Sequence, residues 1–203
     1  MFISFEGTEG VGKTTLITQL YEHFLQQGLD VVLTREPGGT PLAEQIRGLL
    51  LSVEHQEPIS NDTELLLMYA ARAQHLQNFI LPALSAGKVV LCDRFIDASF
   101  AYQCAGRGLS RDKLQMLNQH FVSHRPEITF WLDAPIELGM ARARARGELD
   151  RFEQEKMEFF ARVRAGYAEI HQQEPERMKR LDASQNAAQV FAQALSQLAL
   201  ARS

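Results

Sequence analysis

Residues 7–14 read GTEGVGKT, directly behind MFISFE (1–6), a run too short to be anything but one strand. After it, Leu16, Leu20, Phe24 and Leu25 recur at helical spacing up to Gly28, which predicts an amphipathic helix with a left-handed stop. Strand, glycine-rich turn and helix, in that order, form the context in which G-x-x-x-x-G-K-[ST] binds phosphate. Glycines let successive backbone N–H groups turn inward around an anion, and the helix N-terminus adds partial positive charge. A glycine-rich turn with a chance lysine is the weaker reading, because all eight residues fall in frame. The candidate polyphosphate ligands are Gly7, Thr8, Glu9, Gly10, Val11, Gly12, Lys13, Thr14 and Thr15. Lys13 reaches the outer phosphates, and the Thr14 hydroxyl suits a hard cation such as Mg2+.

Working outward, β-rich runs at 2–6, 30–34, 88–92, 128–132 and 178–182 are separated by long segments of helical periodicity. That alternation predicts an α/β protein, a three-layer P-loop NTPase fold with a five-stranded parallel sheet flanked by helices. One long helix is expected from Asp62 to Gly87, kinked or re-started near Pro82. Another begins at Ser110, and the last spans about 186–201, with Val190, Ala194, Leu195 and Leu198 on one stripe. No linker, repeat or low-complexity tract interrupts residues 1–203, which are read as a single domain.

Composition narrows the function. With 203 residues, 45% hydrophobic, and a net charge of −4, the chain has material for one sizeable core and is not a general nucleic-acid binder. Two cysteines, Cys92 and Cys104, make neither a disulfide framework nor a zinc cluster, which fits a reducing cytoplasm. Neither a leader segment nor an apolar run long enough to span a membrane is expected.

A phosphate loop does not name a reaction. GTPases carry D-x-x-G and N-K-x-D elements, and this sequence has neither. It has CDRF (92–95) at the end of the apolar run VVLC, the edge where such sheets bind ligands. Asp93 there is a candidate for holding Mg2+ or its waters. Arg94 is a planar donor suited to phosphate, with a structural ion pair as the bland alternative. Further on, MARARARGELDRFEQE (140–155) sets Arg142, Arg144, Arg146 and Arg151 around Gly147, which is expected to end a helix. Arg142 and Arg146 share a helix face and Arg144 points away. The segment 142–153 is thus an arginine-rich lid over transferring phosphate, or else a solvated helix face.

Taken together, the loop, TREPGGT (34–40), YAARAQ (69–74), DRFIDASFAYQCAGRG (93–108) and RARARGELDRFEQE (142–155) make the chain resemble the bacterial thymidylate kinase family over nearly its whole length. The resemblance implies transfer of the γ-phosphoryl of ATP to dTMP, giving dTDP for dTTP and DNA synthesis, with Mg2+ and as a cytoplasmic homodimer. It implies that Arg47 and Arg94 clamp the dTMP phosphate beside Pro37, and that Glu9 faces the deoxyribose 3′-hydroxyl and the metal shell. Arg72, Ser99 and Gln103 would read the thymine edge, and Tyr102 would lie against the sugar. The loop lacks an arginine between Gly7 and Lys13, so the chain looks like the lid-arginine type. Arg144, Arg146 and Arg151 then join Lys13, Arg94 and Glu9 as catalytic candidates. Relatives stack a phenylalanine on thymine four residues before the base-reading arginine; here that position is Met68, with Tyr69 beside it, and either could cover the base. The apolar run Leu65, Leu66 and Leu67 is the sequence's own support for a dimer.

Other residues are placed more plainly. The scattered histidines read as surface or satisfied core. Asp97 is expected to cap or orient the helix after the CDRF strand, Asp133 to mark a strand-to-helix junction or a second acid near phosphate, and DASQN (182–186) to line an adenine pocket.

Overall fold

The computed structural model describes residues 1–147 and 150–201, with the backbone alone at Arg146 and Ala201. The elements are β1 (Phe2–Glu6), α1 (Lys13–Gln26), β2 (Val31–Arg35), α2 (Pro41–Leu51), α3 (Asn61–His75), a π-helical segment Leu76–Ile80, α4 (Leu81–Ser85), β3 (Val89–Asp93), α5 (Ile96–Ser99) and a second π segment Phe100–Gly106. Then come α6 (Arg111–Phe121), β4 (Ile128–Asp133), α7 (Ile136–Arg146), α8 (Met157–Gln173), β5 (Met178–Asp182) and α9 (Ala187–Ala201). The sheet order is β2-β3-β1-β4-β5, with every pairing parallel.

β1 lies at the centre and is buried throughout, so its alternation sorts side chains between two helical layers. Ile3 and Phe5 face α1 and α9, joining Leu16, Leu20, Phe24, Val190, Ala194 and Leu198. Phe2 faces the other layer with Val90 and Cys92, against Leu76, Ile80 and Phe95. On that same side α8 brings Phe160, Val163 and Tyr167 against Trp131. Leu25 is 45% exposed and does not belong to the core stripe; Ile17 takes its place.

The expected long helix is real but changes pitch. Pro82 cannot donate to the ladder and its ring crowds the preceding turn, and the backbone widens over Leu76–Ile80 before re-forming at Leu81. Of the three leucines expected to offer a dimer face, Leu65 is buried inside the molecule while Leu66 is 58% exposed. Among the described residues no helix is long and apolar enough to cross a membrane.

Candidate active site

The carboxyl ends of β2 and β3, with the loops that follow β1 and β5, open onto a cavity of about 730 Å3. At one end lies the glycine loop. Gly12 is the N-cap of α1, with φ 94° and no side-chain cap, so the first N–H groups of that helix are left to the cavity. Gly10 is needed for a different reason: a Cβ there would fall 1.9 Å from the carbonyl oxygen of Gly139, on α7. The loop and the helix bearing the lid arginines are therefore packed backbone to backbone. One turn beyond Gly139, Arg142 lines the cavity.

Lys13 is held by backbone carbonyls, donating from Nζ to Thr8 at 3.0 Å and to Gly7 at 3.4 Å. Burial, with Arg94 close by, lowers its pKa from the ordinary lysine value. Gly7 and Thr8 thus act on Lys13 from behind, while Glu9 to Thr15 line the cavity. Thr14 and Asp93 line it too, and Oδ1 of Asp93 is a buried oxygen without a hydrogen-bond partner. An orphaned carboxylate oxygen in the same cavity as a threonine hydroxyl fits Mg2+, which keeps water and substrate phosphate for most of its ligands. No cluster of three or more His, Cys, Asp or Glu that could hold a metal occurs among the described residues.

Next to Asp93 the chain does something costly. Arg94 sits at φ 68°, in the left-handed region that a residue with a Cβ avoids. Its N–H donates to Phe5 at 2.9 Å, and the next N–H, of Phe95, donates to Oε1 of Glu6 at 2.8 Å, so β1 fixes the bend. The bend turns the guanidinium back beneath the loop. Nη1 donates to the Gly7 carbonyl at 2.9 Å and to the Tyr167 hydroxyl at 3.2 Å, and Nη2 to Glu9 at 2.7 Å. Burial opposes the Arg94 charge, but Glu9 and its neighbours outweigh burial and raise its pKa well above the ordinary arginine value. For Glu9, burial is likewise outweighed, by Arg94, Lys13 and a 2.7 Å hydrogen bond from Tyr102, and its carboxyl is held below 4.5.

The far end of the cavity is built around Arg72, which is 2% exposed. It donates to Glu36 at 2.7 Å, to Ser99 at 3.0 Å and to the Phe95 carbonyl at 3.1 Å. Glu36 also meets His75, whose other ring nitrogen lies 2.6 Å from the Thr34 hydroxyl. His75 is accordingly a satisfied core residue. Ser99, Gln103, Pro37 and Arg47 line this end, and Arg47 donates to the Pro37 carbonyl at 2.8 Å.

The structure separates Met68 from Tyr69. Met68 lines the cavity; Tyr69 is 3% exposed, donates to Asn118 at 2.7 Å and lies with its ring under Arg72, 4.7 Å from the guanidinium carbon. It also divides the arginines after Gly139. Arg144 is exposed, and the Arg146 side chain is outside the described residues. Arg151 does not line the cavity. Its Nε donates to the Leu50 carbonyl at the end of α2 at 2.7 Å and its Nη2 lies 2.7 Å from Glu64, because a buried carboxylate in the first turn of α3 captures it.

One expectation for an acid is corrected and another is resolved. Asp97 does not cap α5 but is buried in a bidentate pair with Arg177 at 2.7 Å. Asp133 ends β4 just before α7, as its junction reading had it, and its carboxylate is taken by Arg164 and Arg180 and does not line the cavity. Ala183, Gln185 and Asn186 do line the cavity, at its loop end. Sequence reasoning passed over Glu36 and Phe152, which line the cavity, and Glu6, Glu64 and Tyr167, which support it. Glu36, Phe152 and Glu6 lay inside the quoted TREPGGT, RARARGELDRFEQE and MFISFE stretches; Glu64 and Tyr167 look like ordinary helix-start and core residues.

Comparisons with known proteins identify the family. The family model for thymidylate kinase matches residues 5–194. The chain is 72% identical to a thymidylate kinase of Acinetobacter baumannii over 199 residues, covering 98% of this chain and 100% of that protein. It is 73% identical to that of Acinetobacter baylyi, covering 98% of each. The crystal structure of thymidylate kinase from Ehrlichia chaffeensis superposes with a TM-score of 0.80 at 34% identity, covering 98% of both chains.

Proposed function

Since the chain belongs to the thymidylate kinase family, we propose a residue-level account of how it phosphorylates dTMP with ATP. It is an enzyme of nucleotide biosynthesis, making dTDP and ADP. The observation that carries the account is one continuous cavity, which runs from Lys13 and Thr14 to Arg72 and Gln103 and so has room for two nucleotides end to end.

In this account the loop N–H groups and the uncapped start of α1 bind the ATP phosphates, and Lys13 neutralises charge on the outer ones. Thr14 and Asp93 would hold Mg2+, which would supply charge neutralisation to the transferring phosphate when bound. Arg94 and Arg47 hold the acceptor phosphate in line. Glu9 fixes Arg94 and receives the sugar 3′-hydroxyl, and Tyr102, hydrogen-bonded to Glu9, closes the sugar side. Arg72, Ser99 and Gln103 face the thymine edge, with Met68 rather than Tyr69 over the base. Arg142, which lines the cavity, enters as a lid cation at the transferred group, with Arg144 and Arg146 closing on bound nucleotide; Arg151 is an anchor. Little covalent work is asked of the protein, so catalysis is positioning plus charge stabilisation.

We further propose that residues 1–203 act as one domain, in the cytoplasm, as a homodimer. Supporting the dimer, Leu42 and Leu49 lie seven residues apart on α2 and are about half exposed, and the neighbouring α3 carries the exposed Leu66. Supporting the location, both cysteines are free and buried. Sedimentation at micromolar concentration is expected to give twice the 22.9 kDa chain mass; a monomer alone overturns the dimer. The activity is checked by coupled ADP release with dTMP, dUMP, UMP, CMP, AMP and GMP. Preference for dTMP is expected, and preference for a purine overturns the account.

A further inference from the structure

Glu64, in the first turn of α3, would ordinarily be read as an acid complementing the helix N-terminus. Its surroundings are different. The side chain is 1% exposed and its two oxygens are surrounded by donors from three residues on two other segments. Oε1 accepts from Gln103 Nε2 at 2.9 Å and from Arg107 Nε at 3.3 Å; Oε2 accepts from Arg107 Nη2 at 3.2 Å and faces Arg151 Nη2 at 2.7 Å. Arg107 also pairs with Glu155, and Arg151 is tied to the carbonyls of Leu50 and Leu51. Lid exit, α2, α3 and the base end of the cavity all meet at this one carboxylate.

We propose that Glu64 is a positioning residue for acceptor discrimination: it fixes the Gln103 carboxamide so that its carbonyl oxygen is the end presented to the base. The proposal rests on the account above in which Gln103 faces that base. A carboxamide is nearly symmetric in shape, and its orientation is decided by its hydrogen-bond partners. Here a flip would set the Gln103 oxygen against a carboxylate oxygen at 2.9 Å, acceptor against acceptor, in a site sealed from water. Gln103 is itself 1% exposed, and its amine end is committed to Glu64. What remains toward the cavity accepts a hydrogen bond. A pyrimidine with an imide N3–H, thymine or uracil, supplies the matching donor, whereas cytosine presents a lone pair at N3. Glu64 therefore selects for the imide without touching the substrate.

The test measures dissociation constants of dTMP, dUMP and dCMP by competition titration on the full chain. In Glu64→Gln the new side chain can donate as well as accept, so Gln103 is free to turn over. Affinity for dCMP relative to dTMP is expected to rise roughly tenfold, the scale of one relieved buried mismatch, while the dUMP to dTMP ratio stays within about threefold. A merely structural role would weaken all three ligands together, and that result overturns the proposal. Should Glu64→Gln fail to fold, Glu64→Asp keeps the charge opposite Arg107 and Arg151 but withdraws the oxygen from Gln103; the same rise is expected, and its absence overturns the proposal. Gln103→Ala separates the two levels. If it leaves affinity and preference unchanged, Gln103 does not face the base and both readings fall. If it shifts the preference and the folded Glu64 variants do not, the base contact stands and the role of Glu64 alone is wrong.

Discussion

Arg94 and Glu9 stand 85 residues apart in the chain and meet as an ion pair, Nη2 to Oε2 2.7 Å. The pair links a strained strand end to the phosphate loop, so each nucleotide's binding residues depend on the other's. Glu9→Gln keeps an acceptor for Tyr102 but leaves the Arg94 charge unbalanced. A fall of roughly 100-fold in kcat/KM for dTMP is expected, as for losing one preorganised charged partner. Because the Glu9 carboxyl is held below 4.5, the stability it lends is complete above that pH and is lost only as pH falls through the lower folded value. Steady-state kinetics with an unchanged kcat/KM would count against the link.

Lys13→Ala should stop turnover and leave the fold. Its Nζ rests only on two backbone carbonyls, so few packing contacts go with it. The expected loss in kcat is at least roughly 100-fold with Tm moved by only a few degrees. A variant retaining more than about a tenth of the rate removes the lysine from the chemistry.

Asp93 carries the orphaned oxygen, and Asp93→Asn removes its charge without changing its shape. The Mg2+ concentration for half-maximal rate should rise about tenfold or more, while dTMP binding measured without metal stays put. An unchanged Mg2+ titration would rule Asp93 out as a holder of the ion.

Arg142 and Arg151 make opposite predictions. Arg142 lines the cavity, so Arg142→Ala should lower kcat roughly 100-fold with KM for dTMP changed only a few-fold. Arg151→Ala breaks a pair with a carboxylate that is 1% exposed, and should lower Tm and raise KM for dTMP more than it lowers kcat. The reverse pattern would return Arg151 to the transferring phosphate.

Glu6 sets a pH dependence of stability. It is fully buried, close to Asp97 and within reach of the Arg94 charge, and accepts from Phe95 and from the Tyr167 hydroxyl. Burial first, then Asp97, raise its pKa from 4.5 to about 8. The folded state therefore binds the Glu6 proton more tightly than the unfolded chain. Its contribution is full below pH 4.5 and is lost as pH rises toward 8. Glu6→Gln should flatten Tm between pH 5 and 8, and an undiminished slope in that variant would assign the dependence elsewhere.

Several features were open in the sequence because they are local. Strand positions came within one residue at each run, since short continuous apolar, β-branched runs and the turns that bound them report on a few neighbouring residues. The phosphate loop and the stop at Gly147 follow in the same way from what φ a side chain permits.

The side-chain partners were decided only by tertiary structure. Spacing placed Met68 and Tyr69 on one helix, but the rotation of α3 against α6 sent Tyr69 to Asn118 and left Met68 to the cavity. Asp97 sits in the first turn of α5, where local rules make it a cap, yet Arg177, 80 residues later, takes it in a buried bidentate pair. The arginines after Gly139 look alike in one dimension; a buried carboxylate on another helix separates Arg151 from Arg142. Periodicity specifies which face of an element is apolar, and burial of that face determines the fold. A long charged side chain instead settles on whichever opposite charge the fold brings within about 3 Å, and that choice exists only once distant segments have met.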